Sequence, residues 1–425
     1  MTRHSAPPTA SDSPAPPQEQ QILIAGAGLV GLTAAIALAR AGFAVTLLDR
    51  GEVERVSDGL LTTALAAGTK QLLAELQVWD AGVLNPSPIL QIQVAQGAAG
   101  GQRHLGLIDW SVRDSASGQA TVQAATQENP QATPHAMGYI VENHLLRRHL
   151  LNHLQQLGVQ MVGGFTVAAV EADNFGISLL ASDGRRLRGA LVLAADGRNS
   201  ALRDLLKIGC RRHDYHQTAL VAVMAHSQPH DQVAYEYFMA GGPLALLPMH
   251  NNHSQVVWNL PTAKAAAFKA LSTESADAFA SLLQQHFPWL GNLSLASAVQ
   301  AYPLNLVRAN RLHAPRAFLL GDAAHGIHPI AGQGFNLAVR GLNILRQELV
   351  TARQLGMAWW DQPTLSAADK QQSRHAARMI TATHQLNALF ETNLWPIRVG
   401  RGLGLNLVNR LPPLKQFFMN QAMGL

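Results

Sequence analysis

The sequence predicts an α/β fold: a parallel-sheet domain assembled from three separated segments, an inserted and mostly antiparallel β-sheet domain, and C-terminal helices. Three observations predict it. The β-branched run Ile22-Leu-Ile-Ala25 passes through Gly26-Ala27-Gly28-Leu-Val-Gly31 into an uncharged helical stretch, the change of period that marks a strand–turn–helix unit. Two later hydrophobic runs, 190–195 and 317–320, end in Asp196-Gly197 and Gly321-Asp322. Between those runs, residues 210–310 break into short stretches separated by turn residues, the pattern of a second sheet.

The first unit is Rossmann-like. Gly26 permits a tight turn, Gly28 lets backbone approach a pyrophosphate, and Gly31 lets helix and strand pack closely. The helix N-terminus then offers N–H groups and positive potential to phosphate. Residues 22–39 carry no charge and reach the length of a membrane span, but the glycine turn divides them. Gly42 closes the helix, and the strand Ala44–Leu48 ends on Asp49, placed to accept a hydrogen bond from a ribose hydroxyl. Helical spacing returns at Lys70–Trp79 and Asn143–Leu157, while 85–137, rich in Gly, Gln, Ala and Ser, reads as strand pairs with long loops. Ser182-Asp-Gly184 marks a hairpin after the alternating Gly176–Leu180. Strands are expected at 217–224, 232–239, 244–249 and 255–260, with 249–254 turning one into the next. Gly332-Gln-Gly334-Phe-Asn336 opens a helix towards Val350, and Ser366 is expected to cap a helix through about Leu389. The boundaries that follow are a flexible tail at 1–20, a dinucleotide-binding domain from 21–84, 138–209 and 311–364, a substrate domain from 85–137 and 210–310, and C-terminal helices at 365–425.

Composition removes several function classes. The chain has 425 residues, 48% of them hydrophobic, which suits a globular protein with a large core. Its net charge of +5 comes without a lysine-rich run or an aromatic–basic stripe, so nucleic acid is not an expected partner. No apolar signal region follows the start and Cys210 is the single cysteine, so a cytoplasmic location without internal disulfides is expected. Arg398, Arg401, Arg410 and Lys415 share the C-terminal stretch with many apolar residues. That mixture suits either an anionic membrane surface or core helices with solvated cations. His325 and His328 are spaced to share a metal, but no third ligand is nearby, and a zinc site needs at least three; no metal is expected.

Asp49, Asp196 and Asp322 offer acceptors at strand ends, where open α/β sheets bind ligands. A ligand with many hydroxyls and one pyrophosphate fits them, and FAD answers that description. The segment Gly321-Asp-Ala-Ala-His-Gly-Ile-His-Pro-Ile-Ala-Gly-Gln-Gly-Phe-Asn336 resembles the FAD ribityl and isoalloxazine motif of the aromatic-ring flavin hydroxylases, the group that includes para-hydroxybenzoate hydroxylase. The resemblance implies that Asp322 bonds a ribityl hydroxyl and that Pro329 to Gly334 lie along the flavin edge. The cofactor-binding set is then Gly26, Ala27, Gly28, Gly31, Asp49, Arg50, Arg147, Asp196, Gly197, Gly321, Asp322, Pro329, Gly332, Gln333, Gly334 and Asn336.

With Gly138–Asn143, Gly242–Pro248, Val257-Trp258, Tyr302–Leu304 and the C-terminal 401–424 added, the chain is similar to the ubiquinone-biosynthesis hydroxylases of the UbiH/UbiF type over nearly everything after Gln20. That similarity implies a class A flavin monooxygenase acting on a polyprenylated phenol. Reduced FAD would capture O2 as a C4a-hydroperoxide, and the reductant would be NAD(P)H or a ferredoxin. It also implies contact with a membrane surface, at its inner face, and with other ubiquinone-biosynthesis proteins. No side chain stands out as a catalytic acid or base. Two positions depart from the family pattern: no arginine occurs between Asp58 and Leu65, near Leu61, and Gly341 replaces an acid after the Asn336-Leu pair. Two other readings share the same segments, an isoprenoid or quinone reductase and a non-catalytic flavin-binding scaffold. Incorporation of oxygen from O2 separates the hydroxylase from the reductase, and substrate-free structural dependence of partner enzymes on this protein favours the scaffold.

Overall fold

The computed structural model describes residues 20–56, 59, 61–96, 107–111, 136–239, 241–327 and 333–391. The expected tail up to residue 19 and the basic, apolar stretch from residue 392 lie outside them. β1 (Ile22–Ala25), α1 (Leu29–Arg40) and β2 (Val45–Leu48) form the strand–helix–strand unit expected from the glycine turn. Every β1 and β2 side chain is buried, as a parallel strand covered on both faces requires. β3 (Thr62–Ala66), α2 (Ala67–Glu75), α3 (Ala81–Leu84), β4 (Ser87–Ile89), β5 (Gln91–Gln96), β6 (Leu107–Ser111) and β7 (Gly138–Glu142) follow. α2 starts ahead of the expected Lys70 and stops at Glu75, because Gln77 turns left-handed at φ 51°. β3 has no alternation of its own and exists through pairing with β7, from Thr62↔Glu142 to Ala66↔Gly138.

α4 (Asn143–Gln156) leads to β8 (Gln160–Val162) and then to β9 (Val167–Ala172), β10 (Ile177–Ala181) and β11 (Arg186–Gly189), a small antiparallel sheet with the expected hairpin between its last two strands. β12 (Leu191–Ala194) and α5 (Ala201–Leu205) carry the chain into β13 (Cys210–His226), β14 (Val233–Met239), β15 (Gly242–Met249) and β16 (His253–Pro261). α6 (Thr262–Glu274), α7 (Ala276–Gln284), β17 (Leu293–Leu295), β18 (Gln300–Ala309), β19 (His313–Ala314), β20 (Ala317–Leu319) and β21 (His325–Gly326) precede two long helices, α8 (Gln333–Gln354) and α9 (Gln362–Glu391).

One sheet runs β19-β20-β12-β1-β2-β8 and is parallel except at the β19–β20 edge. A nine-stranded sheet runs β21-β18-β13-β16-β15-β14-β5-β6, with β17 beside β13. β5 joins it in parallel with β14, so two strands from the Gly- and Gln-rich segment extend the sheet built mainly from residues 210–309. Its outer face carries Tyr235, Tyr237, Leu244, Leu246 and Trp258, which pack with Phe279, Leu283 and Phe287 of the α6–α7 region. Its inner face meets the small sheet β3-β7-β4 through Ile89, Ile140, Val223, Ala234 and Met249.

Two sequence expectations need correction. Residues 262–284 are helical within a region expected to be mostly β; Ala- and Lys-rich Thr262–Glu274 has high intrinsic helix propensity, and Ser275 caps the next helix through the Ala278 N–H at 3.2 Å. α9 begins at Gln362, not at Ser366. Asp361 is its cap, its carboxylate accepting from Thr364 N at 3.0 Å and its carbonyl from Leu365 N at 3.1 Å. Asp361→Ala should lower stability by about 1 kcal/mol, read as a shift in the urea midpoint, while Ser366→Ala should leave that midpoint unchanged.

Candidate active site

The parallel sheet delivers three loops to one edge. Gly26 leaves β1 at φ +109°, and a Cβ there would lie 2.3 Å from the Ala195 carbonyl oxygen and 2.8 Å from the Asp196 nitrogen. A Cβ on Gly31 would lie 1.8 Å from the Gly26 carbonyl oxygen. Glycine at both positions is therefore a packing requirement. Around Gly28 a Cβ would meet nothing within 4 Å, so the start of α1 borders open space. Gly28 supplies no side-chain cap to α1, and the first turn holds no acid. The N–H groups of that turn are thus presented without a competing anion, which is what a phosphate needs.

Asp49 and Arg147 set the shape of this turn. The Asp49 carboxylate accepts from Ala27 N at 2.7 Å and from Gly51 N at 2.8 Å. It therefore tethers the glycine turn to the end of β2 and keeps lone pairs for a further donor. Arg147, from the first half of α4, donates to the carbonyls of Ala27, Val53 (2.6 Å) and Arg55 (3.0 Å). Burial lowers its pKa and the nearby Asp49 charge opposes that shift. Arg50 stands exposed at the next position along from Asp49.

The other two loops meet at Arg198. Asp196 accepts from Leu202 N at 3.1 Å through one oxygen, while its other oxygen is buried with no partner among the described residues. Ser200 caps the same short helix through Arg203 N at 2.9 Å. Arg203, fully buried, donates to the carbonyls of Arg198 (3.2 Å) and Ala323 (3.1 Å), stitching the second loop to the third. Arg198 reaches Asp322 at 3.4 Å and the Ile327 carbonyl at 3.3 Å. Desolvation raises the Asp322 pKa, and Arg198 pulls it back down. A Cβ on Gly321 would sit 3.2 Å from the Val30 side chain, so this loop rests on the first turn of α1. Gly197 borders open space.

The remaining singled-out residues divide. Asn336, in the first turns of α8, accepts from Ala66 N and donates to the Ala64 carbonyl, both at 2.9 Å, and so fastens α8 to β3. Gly334 borders open space, and Gln333 begins α8. Pro329, Gly332 and His328 lie outside the described residues. The two departures from the family pattern have different surroundings. A Cβ on Gly341 would lie 2.3 Å from the Gln372 side chain, so α9 occupies the room an acid would need. Leu61 packs against Tyr215, Ala219, Val221 and Leu304 on the inner face of the large sheet. Arg198, Ser200 and Arg203 were not singled out in the sequence, although the Asp196–Ser200–Arg203 spacing is a signature of a doubly capped helix.

The residues present fit FAD: open backbone at Gly28, free N–H groups at the α1 N-terminus, an unsatisfied buried oxygen on Asp196 and acceptors on Asp49 and Asp322. A family model described as an FAD binding domain matches residues 19–382. The fold superposes on the crystal structure of p-nitrophenol 4-monooxygenase from Pseudomonas putida with a TM-score of 0.73 at 15% identity, over 95% of this chain and 98% of that one. The chain is therefore an FAD-binding-domain protein with the fold of that monooxygenase. The chain is 34% identical to ubiquinone hydroxylase UbiL of Rhodospirillum rubrum, over 95% of this chain and 89% of that protein. It is 31% identical to the 3-demethoxyubiquinol 3-hydroxylase of Escherichia coli, over 96% and 99% respectively. It belongs to the FAD-dependent hydroxylase family of ubiquinone biosynthesis.

Two outcomes follow from this geometry. Gly31→Ala should cost about 3 kcal/mol and strip flavin from the purified protein, read by denaturant unfolding and visible absorbance. His325, buried where β21 pairs with β18, has its pKa lowered to about 4 by burial and by Arg308, with Asp369 opposing. It is neutral in the fold, whereas the unfolded chain takes up a proton near the ordinary value of 6.5. Its contribution is complete above 6.5 and declines as pH falls towards 4, by about 3 kcal/mol in all. His325→Gln should remove that part of the slope, measured as the change in unfolding free energy between about pH 7 and about pH 4 for both proteins.

Proposed function

We propose that this protein hydroxylates the aromatic ring of a polyprenylated phenol in the formation of ubiquinone. The observation that carries the reading is the full-length likeness to named ubiquinone hydroxylases, combined with three converging loops beside an apolar sheet face. When bound, FAD supplies the electrons that activate O2 for transfer of one oxygen atom to the ring.

The chain's own contribution is binding, orientation and exclusion of water. Gly26, Ala27 and Gly31 shape the turn, and the free N–H groups that follow Gly28 at the start of α1 hold the pyrophosphate, assisted by the potential of the α1 N-terminus. Asp49 accepts from a ribose hydroxyl while its bond to Ala27 N fixes the turn, with Arg147 bracing the same turn and Arg50 beside it. The free oxygen of Asp196, Gly197, and Gly321-Asp322 serve the hydroxyl-bearing middle of the cofactor. Pro329, Gly332, Gln333 and Gly334 would lie along its flavin edge, and Asn336 contributes by anchoring α8 on β3. In this division 21–84, 138–209 and 311–364 serve the cofactor, and 85–137 with 210–310 serve the substrate; the pairing of β5 with β14, and of β6 with β5, supports the second grouping.

The inner face of the large sheet is mostly apolar, and a substrate bound against it would exclude water from the reacting ring. Among the described residues no helix is long and apolar enough to cross a membrane. The composition of 392–425, four cations among many apolar residues and no acid, supports docking on an anionic membrane surface, where a prenyl tail resides. The remaining C-terminal part, from 365, leads into that surface. Other ubiquinone-biosynthesis proteins are the partners this reading implies, and NAD(P)H or a ferredoxin the reductant.

Chemical reduction of the FAD-loaded protein, followed by labelled O2 and a prenylated phenol in detergent, tests the reaction without its natural electron donor. The expected product carries one labelled oxygen on the ring by mass spectrometry. Reoxidation that yields hydrogen peroxide alone across a series of such phenols would overturn the reading.

A further inference from the structure

Among the described residues, the inner face of the nine-stranded sheet holds one carboxyl among mostly apolar side chains. Glu236 is the central residue of β14, paired with Val94 of β5 on one side and Ala245 of β15 on the other. Ala234 and Phe238 flank it along its own strand. Tyr235 and Tyr237 point to the opposite face, into the cluster beneath α6 and α7, which places Glu236 inward by alternation. The inward row continues from Ala245 to Val257 and Val221.

This row looks onto the elements that shape the candidate site. At one end, Ala234 and Leu247 pack on Ile89, Ile140 and Ala64. Further along, Val221 and Val257 pack around Leu61, just ahead of β3. The Gln255 side chain, on the same face, accepts from Thr62 N at 2.7 Å. β3 is in turn held by Asn336 of α8, and α9 lies against β14 and β15. Ile92, Val94, Leu247, Val257 and Glu236 keep partial solvent access, while Ala234, Phe238, Ala245 and Val221 beside them are buried, as are Leu244, Leu246 and Trp258 on the outer face. The inner face is thus a largely buried, partly accessible apolar surface with a carboxyl at its middle.

Among the described residues no hydrogen bond or opposite charge acts on that carboxyl, and desolvation alone pushes its pKa up to about 7. A lone carboxyl in such surroundings weakens the fold. A hydroxyl brought by substrate would satisfy it. Its proton affinity also matches a group that must take up and release a proton near neutral pH.

We propose that the Glu236 carboxylate takes the proton of the substrate's phenol hydroxyl, leaving a phenolate ring as the acceptor of oxygen. The O–H bond breaks, its electron pair stays on the phenol oxygen, and the proton bonds to a carboxylate oxygen. The ring is then more electron-rich at the positions ortho and para to that oxygen, where electrophilic oxygen adds. This assignment rests on the ring-hydroxylase reading, and the prenyl tail of the same substrate would lie along the apolar residues around Glu236.

The test uses full-length, FAD-loaded, oxidised protein and a prenylated nitrophenol, whose phenolate is coloured. Wild type should hold a larger ionised fraction of bound probe than detergent alone. Glu236→Gln should bind the probe with unchanged affinity, lose the ionised fraction, and slow labelled-oxygen transfer to a prenylated phenol by about 10²-fold or more. Glu236→Leu, which matches the surrounding apolar face, should behave the same way. Equal ionised fractions and equal rates in wild type and variants would overturn the assignment while leaving the hydroxylase intact. Loss of FAD from both variants would also overturn it, in favour of a structural role. Ionisation that depends on Glu236 in a protein that transfers no labelled oxygen would instead overturn the hydroxylase reading and leave the proton transfer standing.

Discussion

The close approach of three backbones at the end of β1 is the constraint on which the rest of this structure depends. Gly26 lies where a side chain would strike the Ala195 carbonyl, and Gly31 lies where one would strike the Gly26 carbonyl. Strand, turn, helix and the neighbouring strand end therefore share one small volume. Only because they do are the α1 N-terminus, Asp49, Asp196 and Gly321 brought to one edge of the parallel sheet. The apolar residues of β1, β2 and α1 supply the burial that holds them together, but burial alone would tolerate a looser contact.

Polar side chains then lock segments that are distant in sequence. Arg147 bridges from α4 to the glycine turn and the 53–55 backbone. Arg203 joins the second loop to the third, and Asn336 joins α8 to β3. Each is a side chain bonded to backbone carbonyls or N–H groups that have no strand partner, so each supplies the hydrogen bonding that irregular buried backbone requires. The site loops are consequently braced from behind, and fixed donors and acceptors near a cofactor keep their positions without reorganising.

The large sheet shows how one strand can serve two ends. Alternate residues of β14 enter different environments, with Tyr235 and Tyr237 stacked among Phe287 and Trp289 and Glu236 on the accessible inner side. The aromatic face anchors the sheet on α6 and α7, leaving the inner face free of that duty. An inner face made of Val, Leu and Ile side chains with few polar groups suits a hydrophobic aromatic substrate and excludes water.

Residue order alone was enough to establish the α/β class, the strand–turn–helix at Gly26–Gly31, the strand ends at Asp196 and Asp322, and the main run of α4, because each rests on local periodicity or turn chemistry. The three-loop set was legible for the same reason: glycines and acids at strand ends advertise themselves. The folded chain was needed for everything that depends on contacts across sequence. β3 takes its conformation from β7, and Asp361 rather than Ser366 caps α9 because its carboxylate reaches the Thr364 N–H. Arg147 braces the turn through carbonyls that no spacing reveals, and Glu236 becomes distinctive only when desolvated on an apolar sheet face. Local patterns encode what a segment becomes, while the environment of a side chain is set by strands and helices that arrive from hundreds of residues away.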